Sequence, residues 1–170
     1  VILHQPGDLP RFHERYFWVS LDQVVSASVI PSMMTTSTEL KHYDPQDRKC
    51  YFNHERRLRF FKIYTQRNCL FECLTNFTYQ KCGCVGFYML HDNTTRICGP
   101  AKRSCVKEAN VEFLIREAKF RHKKRSSKQK KKVRCNCLPS CTFLTYEIET
   151  SQLNWNWKQD HLNNDIENQT

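Results

Sequence analysis

Ten cysteines lie between residues 50 and 141: Cys50, Cys69, Cys73, Cys82, Cys84, Cys98, Cys105, Cys135, Cys137 and Cys141. Such a set can hold a metal, supply a thiolate nucleophile or close disulfides. Zinc is a poor match, because Cys82-x-Cys84 and Cys135-x-Cys137 are tighter than the usual ligand spacing. The seven histidines are also scattered, and two four-cysteine sites would leave a remainder of the ten. A nucleophile needs a free thiol and a placed base, which an even, fully matched set does not leave. No Gly-rich phosphate loop, nucleophile elbow or His-Glu-x-x-His motif is present. The expectation is disulfide chemistry, with no enzyme activity, metal or cofactor.

The spacing goes further. Cys69 and Cys73 are four residues apart, so on a helix they share one face about 6 Å apart along its axis. Cys135 and Cys137 are two apart, so on an extended strand they share one face at about 6.7 Å. Two rungs can therefore join a helix to a strand. If the strand runs antiparallel to the helix, the bonds nest as Cys69–Cys137 and Cys73–Cys135.

The elements that carry these residues follow from local pattern. Gln66 to Phe77 reads as a helix, with Cys69, Cys73 and Phe77 in one row and Leu70 and Leu74 beside it. A second helix starts near Cys105, its apolar stripe given by Val111, Leu114, Ile115 and Ala118. Leu58 to Tyr64 mixes aromatic and charged residues near period two and reads as a strand. Cys82 to Tyr88 reads as a compact extended segment, and Asp92-Asn93-Thr94-Thr95 has turn composition. Upstream, Tyr16 to Val19 is β-prone. Val25, Ala27 and Val29 alternate with serines, and Pro31 limits that strand to an edge or ends it. Downstream, Leu144, Tyr146 and Ile148 alternate with Thr145, Glu147 and Glu149, the pattern of a half-buried antiparallel strand.

Composition places the chain outside the cell. The sequons at Asn76, Asn93 and Asn168 accompany the cysteines, a combination that favours the secretory pathway. The 170 residues have a mean hydropathy of −0.69, so the core looks thin and cross-links help most. Neither a signal peptide nor a membrane span is evident, and the chain opens on Val1, so it reads as a fragment or a mature segment. The net charge of +10 is local. Residues 119–134 hold ten of the 27 Lys and Arg and no acid, leaving 17 bases against 17 acids elsewhere. The bland reading of that tract is a solvated loop joining a helix to Cys135. The functional one is a polyanion contact at Lys123, Lys124, Arg125, Lys130, Lys131 and Lys132. A disulfide-bonded compartment removes nuclear and nucleic-acid roles. His54 and His91 have the chemistry of proton sensors but read as exposed bystanders. Trp155 and Trp157 point to one side of an extended segment.

The cysteine frame and its surroundings resemble the extracellular domain of the degenerin/epithelial sodium channel family, and most of all its insect pickpocket-type subunits. The residues that carry the resemblance are Arg57 to Thr65, Asn68-Cys69-Leu70-Phe71-Glu72-Cys73, Cys82-Gly83-Cys84-Val85-Gly86-Phe87-Tyr88-Met89 and Ile97-Cys98-Gly99. They continue with Cys135-Asn136-Cys137-Leu138-Pro139-Ser140-Cys141, Tyr146 and Ser151, and upstream with His4-Gln5-Pro6, Asp8 and Pro10. The resemblance implies an α+β fold in which a disulfide-stapled helical thumb stands on an antiparallel β palm, part of a larger ectodomain. It implies palm strands and a connection over 1–49, a thumb over 50–141 with a basic loop at 119–134, and a return strand with a polar tail over 142–170. It implies the pairs Cys50–Cys141, Cys69–Cys137, Cys73–Cys135, Cys82–Cys105 and Cys84–Cys98. The family forms trimers, homomeric or heteromeric, around a sodium-selective, amiloride-sensitive pore in the plasma membrane, and each subunit has two flanking spans. This segment would then be extracellular and transmit a stimulus to the pore. Proton-gated members carry an aromatic just ahead of the first thumb cysteine; this chain has Asp47-Arg48-Lys49 there. The alternative is a secreted cysteine-rich binding protein with a polyanion-binding basic loop.

Overall fold

Alternation of apolar and polar residues drives the first element. In a computed structural model that describes residues 1–10, 16–122 and 135–156, β1 (Gln23–Met34) pairs antiparallel with β2 (Phe143–Asn154). Val29 lies opposite Ile148, Pro31 opposite Tyr146 and Met33 opposite Leu144. These pairs share one face of the ribbon. Leu144, Tyr146 and Ile148 are half-buried, while Thr145, Glu147 and Glu149 are exposed, as the alternation predicts. Pro31 lies within β1 rather than ending it. Each strand of a two-stranded ribbon has a partner on one side only, so the missing N–H is tolerated. Of the Tyr16 to Val19 run, Tyr16 makes a single bridge to Ile2, and Phe17 bonds through its amide to the Val1 carbonyl at 3.0 Å.

The described chain is α+β and divides into two compact units, Val1–Thr36 with Thr142–Thr170, and Ser37–Cys141. Residues 37–49 belong with the cysteine-rich unit. A 3-10 turn at Thr38–His42 and the short α1 (Pro45–Arg48) occupy that connection. Arg48 ties it down by donating to the Tyr43 carbonyl at 2.6 Å and pairing with Glu55.

The long helix α2 (Gln66–Cys82) starts at Thr65, whose hydroxyl accepts from the Asn68 amide at 3.1 Å. This is an N-cap. It ends at Gly83, where φ of +72° suits a residue without a Cβ. The helix therefore runs one turn beyond the predicted Phe77 and takes in Cys82, which sequence pattern assigned to an extended segment. It buries Asn68, Cys69, Phe71, Leu74, Thr75, Thr78 and Cys82, which lie on more than one face. The helix α3 (Arg103–His122) follows a 3-10 turn at Pro100–Lys102.

Further sequence expectations fail in this unit. No strand forms over Leu58 to Tyr64. Glu72 on α2 accepts from the Arg59 amide at 2.9 Å and the Phe60 amide at 3.2 Å, so a side chain satisfies the backbone that a β ladder would otherwise serve. The stripe expected to bury α3 is exposed instead: Val111 by 50%, Leu114 by 66% and Ile115 by 49%. Val106, Ala109 and Phe113 are buried instead. The Cys82–Cys105 bond sets its rotation. Positions four and eight beyond Cys105 are Ala109 and Phe113, on the face that the bond turns inward. Phe113 meets Phe77 of α2 with ring centroids 6.0 Å apart.

Candidate functional site

All ten cysteines are paired. The structure joins Cys50 to Cys141, Cys69 to Cys137, Cys73 to Cys135, Cys82 to Cys105 and Cys84 to Cys98. These are the pairs that the family resemblance implies. The two rungs from α2 have Cα separations of 5.7 and 5.8 Å, so they are nearly equal in length. The segment opposite α2 is nevertheless not the expected strand. Residues 135–139 adopt no regular structure, and Asn136 has φ of +45°. Asparagine enters this left-handed region more readily than most residues.

Side chains from the N-terminal half of the unit take the place of a β ladder along this segment. Arg56 Nη2 donates to the Cys135 carbonyl at 2.8 Å, and Gln66 Nε2 to the Cys137 carbonyl at 2.9 Å. The Tyr64 hydroxyl donates to the Leu138 carbonyl at 2.5 Å. Asn136 Nδ2 donates to the Tyr51 hydroxyl at 2.8 Å, while its Oδ1 accepts from Gln46 Nε2 at 3.2 Å. Three of these bonds hold backbone carbonyls that irregular chain would otherwise leave for water, so the network helps to set the segment's path alongside its two disulfides.

The ladder ends in an aromatic base. Tyr51 and Tyr64 meet edge to face at 5.4 Å and pack with Cys69 in a buried cluster. Burial holds the Tyr64 hydroxyl well above the ordinary tyrosine range and outweighs the nearby Arg56 charge. It therefore stays a donor. The Tyr51 amide donates to the Pro139 carbonyl, and the Cys141 amide to the Tyr51 carbonyl, both at 2.9 Å. Together with Cys50–Cys141, these bonds tie the first cysteine of the unit to its last.

Next to this base, Arg48 is held in a clamp that sequence reasoning missed. Its side chain is 1% exposed, pairs with Glu55 and lies 4.4 Å from the centre of the Phe52 ring. Burial alone would raise the Glu55 pKa. The Arg48 bond and the Phe52 amide, which donates to the carboxylate at 2.7 Å, bring it below its ordinary value. The signal was the Asp47-Arg48-Lys49 run ahead of Cys50, read only as a missing aromatic.

The far end is stapled differently. Cys82–Cys105 links the end of α2 to the start of α3. Cys84–Cys98 closes a loop whose strands touch once, where Val85 donates to Arg96 at 2.9 Å and accepts from Cys98 at 2.8 Å. Lys81 pairs with Glu112 of α3 at 2.8 Å. Within the loop, Asp92 Oδ1 accepts from the Thr94 amide at 3.2 Å and the Thr94 and Thr95 hydroxyls at 2.8 and 2.5 Å. These hydroxyl bonds, with Arg59 beside the other oxygen at 2.5 Å, lower the Asp92 pKa to about 2.

Other candidate residues lie apart from this frame. Asn76 is exposed on α2 and Asn93 is exposed in the Asp92 turn. His54 stacks on Phe52, and His91 Nδ1 lies 2.8 Å from the Met89 carbonyl. Trp155 is 41% exposed, and its amide donates to the Asp22 carbonyl at 2.7 Å. Lys123, Lys124, Arg125, Lys130, Lys131, Lys132, Trp157 and Asn168 lie outside the described residues. Among the described residues, no helix is long and apolar enough to cross a membrane.

A family model described as amiloride-sensitive sodium channel matches residues 1–170. The chain is 29% identical over 150 residues to Pickpocket protein 11 of Drosophila melanogaster, covering 88% of this chain and 27% of that protein. It is 26% identical over 153 residues to Pickpocket protein 28 of the same species, covering 89% and 23%. Sodium channel protein Nach of Drosophila ananassae is 23% identical over 152 residues, covering 89% and 27%. The chain thus spans about a quarter of the length of these relatives. With the family model matched over residues 1–170, this chain belongs to the amiloride-sensitive sodium channel family.

Proposed function

We propose that this chain is the extracellular gating segment of a trimeric, amiloride-sensitive-type sodium channel subunit in the plasma membrane. The observation that carries the reading is the nested cross-linking of residues 50–141, set in a chain that the family model matches throughout. In this reading the cysteine-rich unit is the thumb and the ribbon belongs to the palm. A stimulus displaces the thumb, and the displacement passes along the chain at its two junctions with the ribbon, beside Thr36 and Cys141. Such a lever must not yield. Disulfides limit the loops' freedom to rearrange, and the Cys50–Cys141 bond closes the unit at the point where force would leave it. Sodium passes through a pore built from other parts of the subunit and its partners. The sequons at Asn76, Asn93 and Asn168 serve as glycan acceptors. The family match favours this reading over a secreted binding module.

The test is electrophysiology of the full-length subunit, alone and with partner subunits. Amiloride-blocked sodium current is the expected result. Reduction of the assembled channel by a membrane-impermeant thiol should uncouple stimulus from opening without abolishing surface expression. A surface-expressed subunit that never contributes to a current in any combination would overturn the proposal.

A further inference from the structure

Asn76 and Asn93 head sequons of the same type, Asn-Phe-Thr and Asn-Thr-Thr, but the fold treats them in opposite ways. Asn76 lies inside α2, between Cys73 and Cys82. Helical residues two apart point about 200° away from each other. Thr78 accordingly faces inward and is 0% exposed, whereas Asn76 is exposed. A transferase that grips the asparagine amide and the threonine hydroxyl together needs both on one face. Extended chain supplies that arrangement and helix does not. The Cys69–Cys137 and Cys73–Cys135 bonds hold this helix against unwinding.

The Thr78 hydroxyl supplies a second, independent observation. It is buried with no hydrogen-bond partner among the described residues. A buried, unsatisfied hydroxyl destabilises a fold, and valine would fill the same space without that cost. No described residue uses this hydroxyl in the folded unit, whereas an acceptor sequon does. Asn93 differs on every point. It is exposed in a turn, and presenting its sequon requires only that this local turn open, with Thr95 releasing its hydroxyl and amide bonds to Asp92.

We propose that Asn76 is an N-glycosylation site open only before the α2 disulfides close, while Asn93 accepts a glycan in the folded chain as well. The donor class is a polyprenyl-diphosphate oligosaccharide. A bond forms between Asn76 Nδ2 and the anomeric carbon as the carbon–oxygen bond to the diphosphate breaks. The diphosphate leaves with the electron pair, and the amide nitrogen gives up a proton to the transferase. Glycan transfer at Asn76 and oxidation of Cys69 and Cys73 are then competing events on one nascent segment. Once attached, the glycan is tolerated because the Asn76 side chain projects from the folded surface. The biological setting rests on the extracellular reading above.

The experiment uses full-length chain made under a glycosylation inhibitor, so that it oxidises bare. Purified oligosaccharyltransferase and lipid-linked oligosaccharide are then added, with N76Q and N93Q assigning each gel shift. In the oxidised chain Asn93 should be modified and Asn76 should not. After reduction, modification of Asn76 should rise to match that of Asn93. T78V should lose the Asn76 glycan on the reduced chain yet still form all its disulfides, and T78S should keep the glycan. Equal modification of both sites in the oxidised chain, or none at Asn76 after reduction, would overturn the proposal. This assay is independent of membrane topology, so it can fail while the channel reading stands, and the reverse.

Discussion

The two compact units solve the stability problem in opposite ways. The ribbon aligns its two strands over twelve residues each, yet most of its side chains are exposed and none is fully buried. Two strands in isolation are marginal in water. The cysteine-rich unit has little regular β structure, but it buries Tyr64, Asn68, Val85 and Ala109 almost completely and contains every disulfide. The ribbon thus has regular hydrogen bonding with little burial, and the cysteine-rich unit has burial and cross-links on a largely irregular backbone.

Several substitutions would break or sharpen this contrast. The largest effect is expected from Cys69→Ser, which removes a bond spanning 68 residues, worth about 4 kcal/mol in the chain-entropy description. It also leaves the Cys137 thiol free to attack neighbouring bonds. Secretion of oxidised protein should fall sharply, and the Cys69→Ser, Cys137→Ser double variant should fare better than either single one. Phe113→Ala should cost about 3 kcal/mol as a buried aromatic lost from the α2–α3 contact, whereas Leu114→Ser next to it should stay within about 0.5 kcal/mol. Denaturant midpoints of the two variants measure that difference. Equal losses would mean that α3 buries its other face after all.

Tyr64→Phe comes next. It leaves the Leu138 carbonyl without its donor, at a cost of about 1–2 kcal/mol, and should loosen residues 135–139 in hydrogen exchange. The smallest effect concerns acid. The Asp92 pKa is about 2 when folded, below its ordinary value of about 3.9. Its contribution is thus fully present above about pH 4 and lost as pH falls through about 2. Asp92→Asn should lower stability slightly between pH 5 and 8, and its difference from the parent chain should vanish as pH falls through about 2. A loss of the same size below that pH would contradict the assignment.

The features that sequence reveals here are those in which local pattern and long-range constraint agree. Leu144, Tyr146 and Ile148 alternate because one face of β2 is half-buried. Asp92 to Thr95 reads as a turn because the Asp92 carboxylate bonds to its own neighbours. The helices at Gln66 and Arg103 are visible from their periodicity. The face of α3 is not, because Val111, Leu114 and Ile115 form a credible stripe that the Cys105 bond turns outward. Counting from the cysteine instead of from the hydrophobics would have found Ala109 and Phe113. Leu58 to Tyr64 looks like a strand because its residues alternate in role, but Glu72 takes its amides from elsewhere in the chain. Cys135 and Cys137 look like strand neighbours because a spacing of two permits it. No local signal announces that Arg56, Tyr64 and Gln66 will serve their backbone.

Disulfide mapping of residues 37–141, produced alone in an oxidising compartment, tests most directly whether the cysteine-rich unit is self-sufficient. Proteolysis without reduction should release Cys69 linked to Cys137 and Cys73 linked to Cys135, with no free thiol in the unit. Recovery of Cys69 linked to Cys135, or of a mixture of isomers that settles only when the ribbon is restored, would contradict that account.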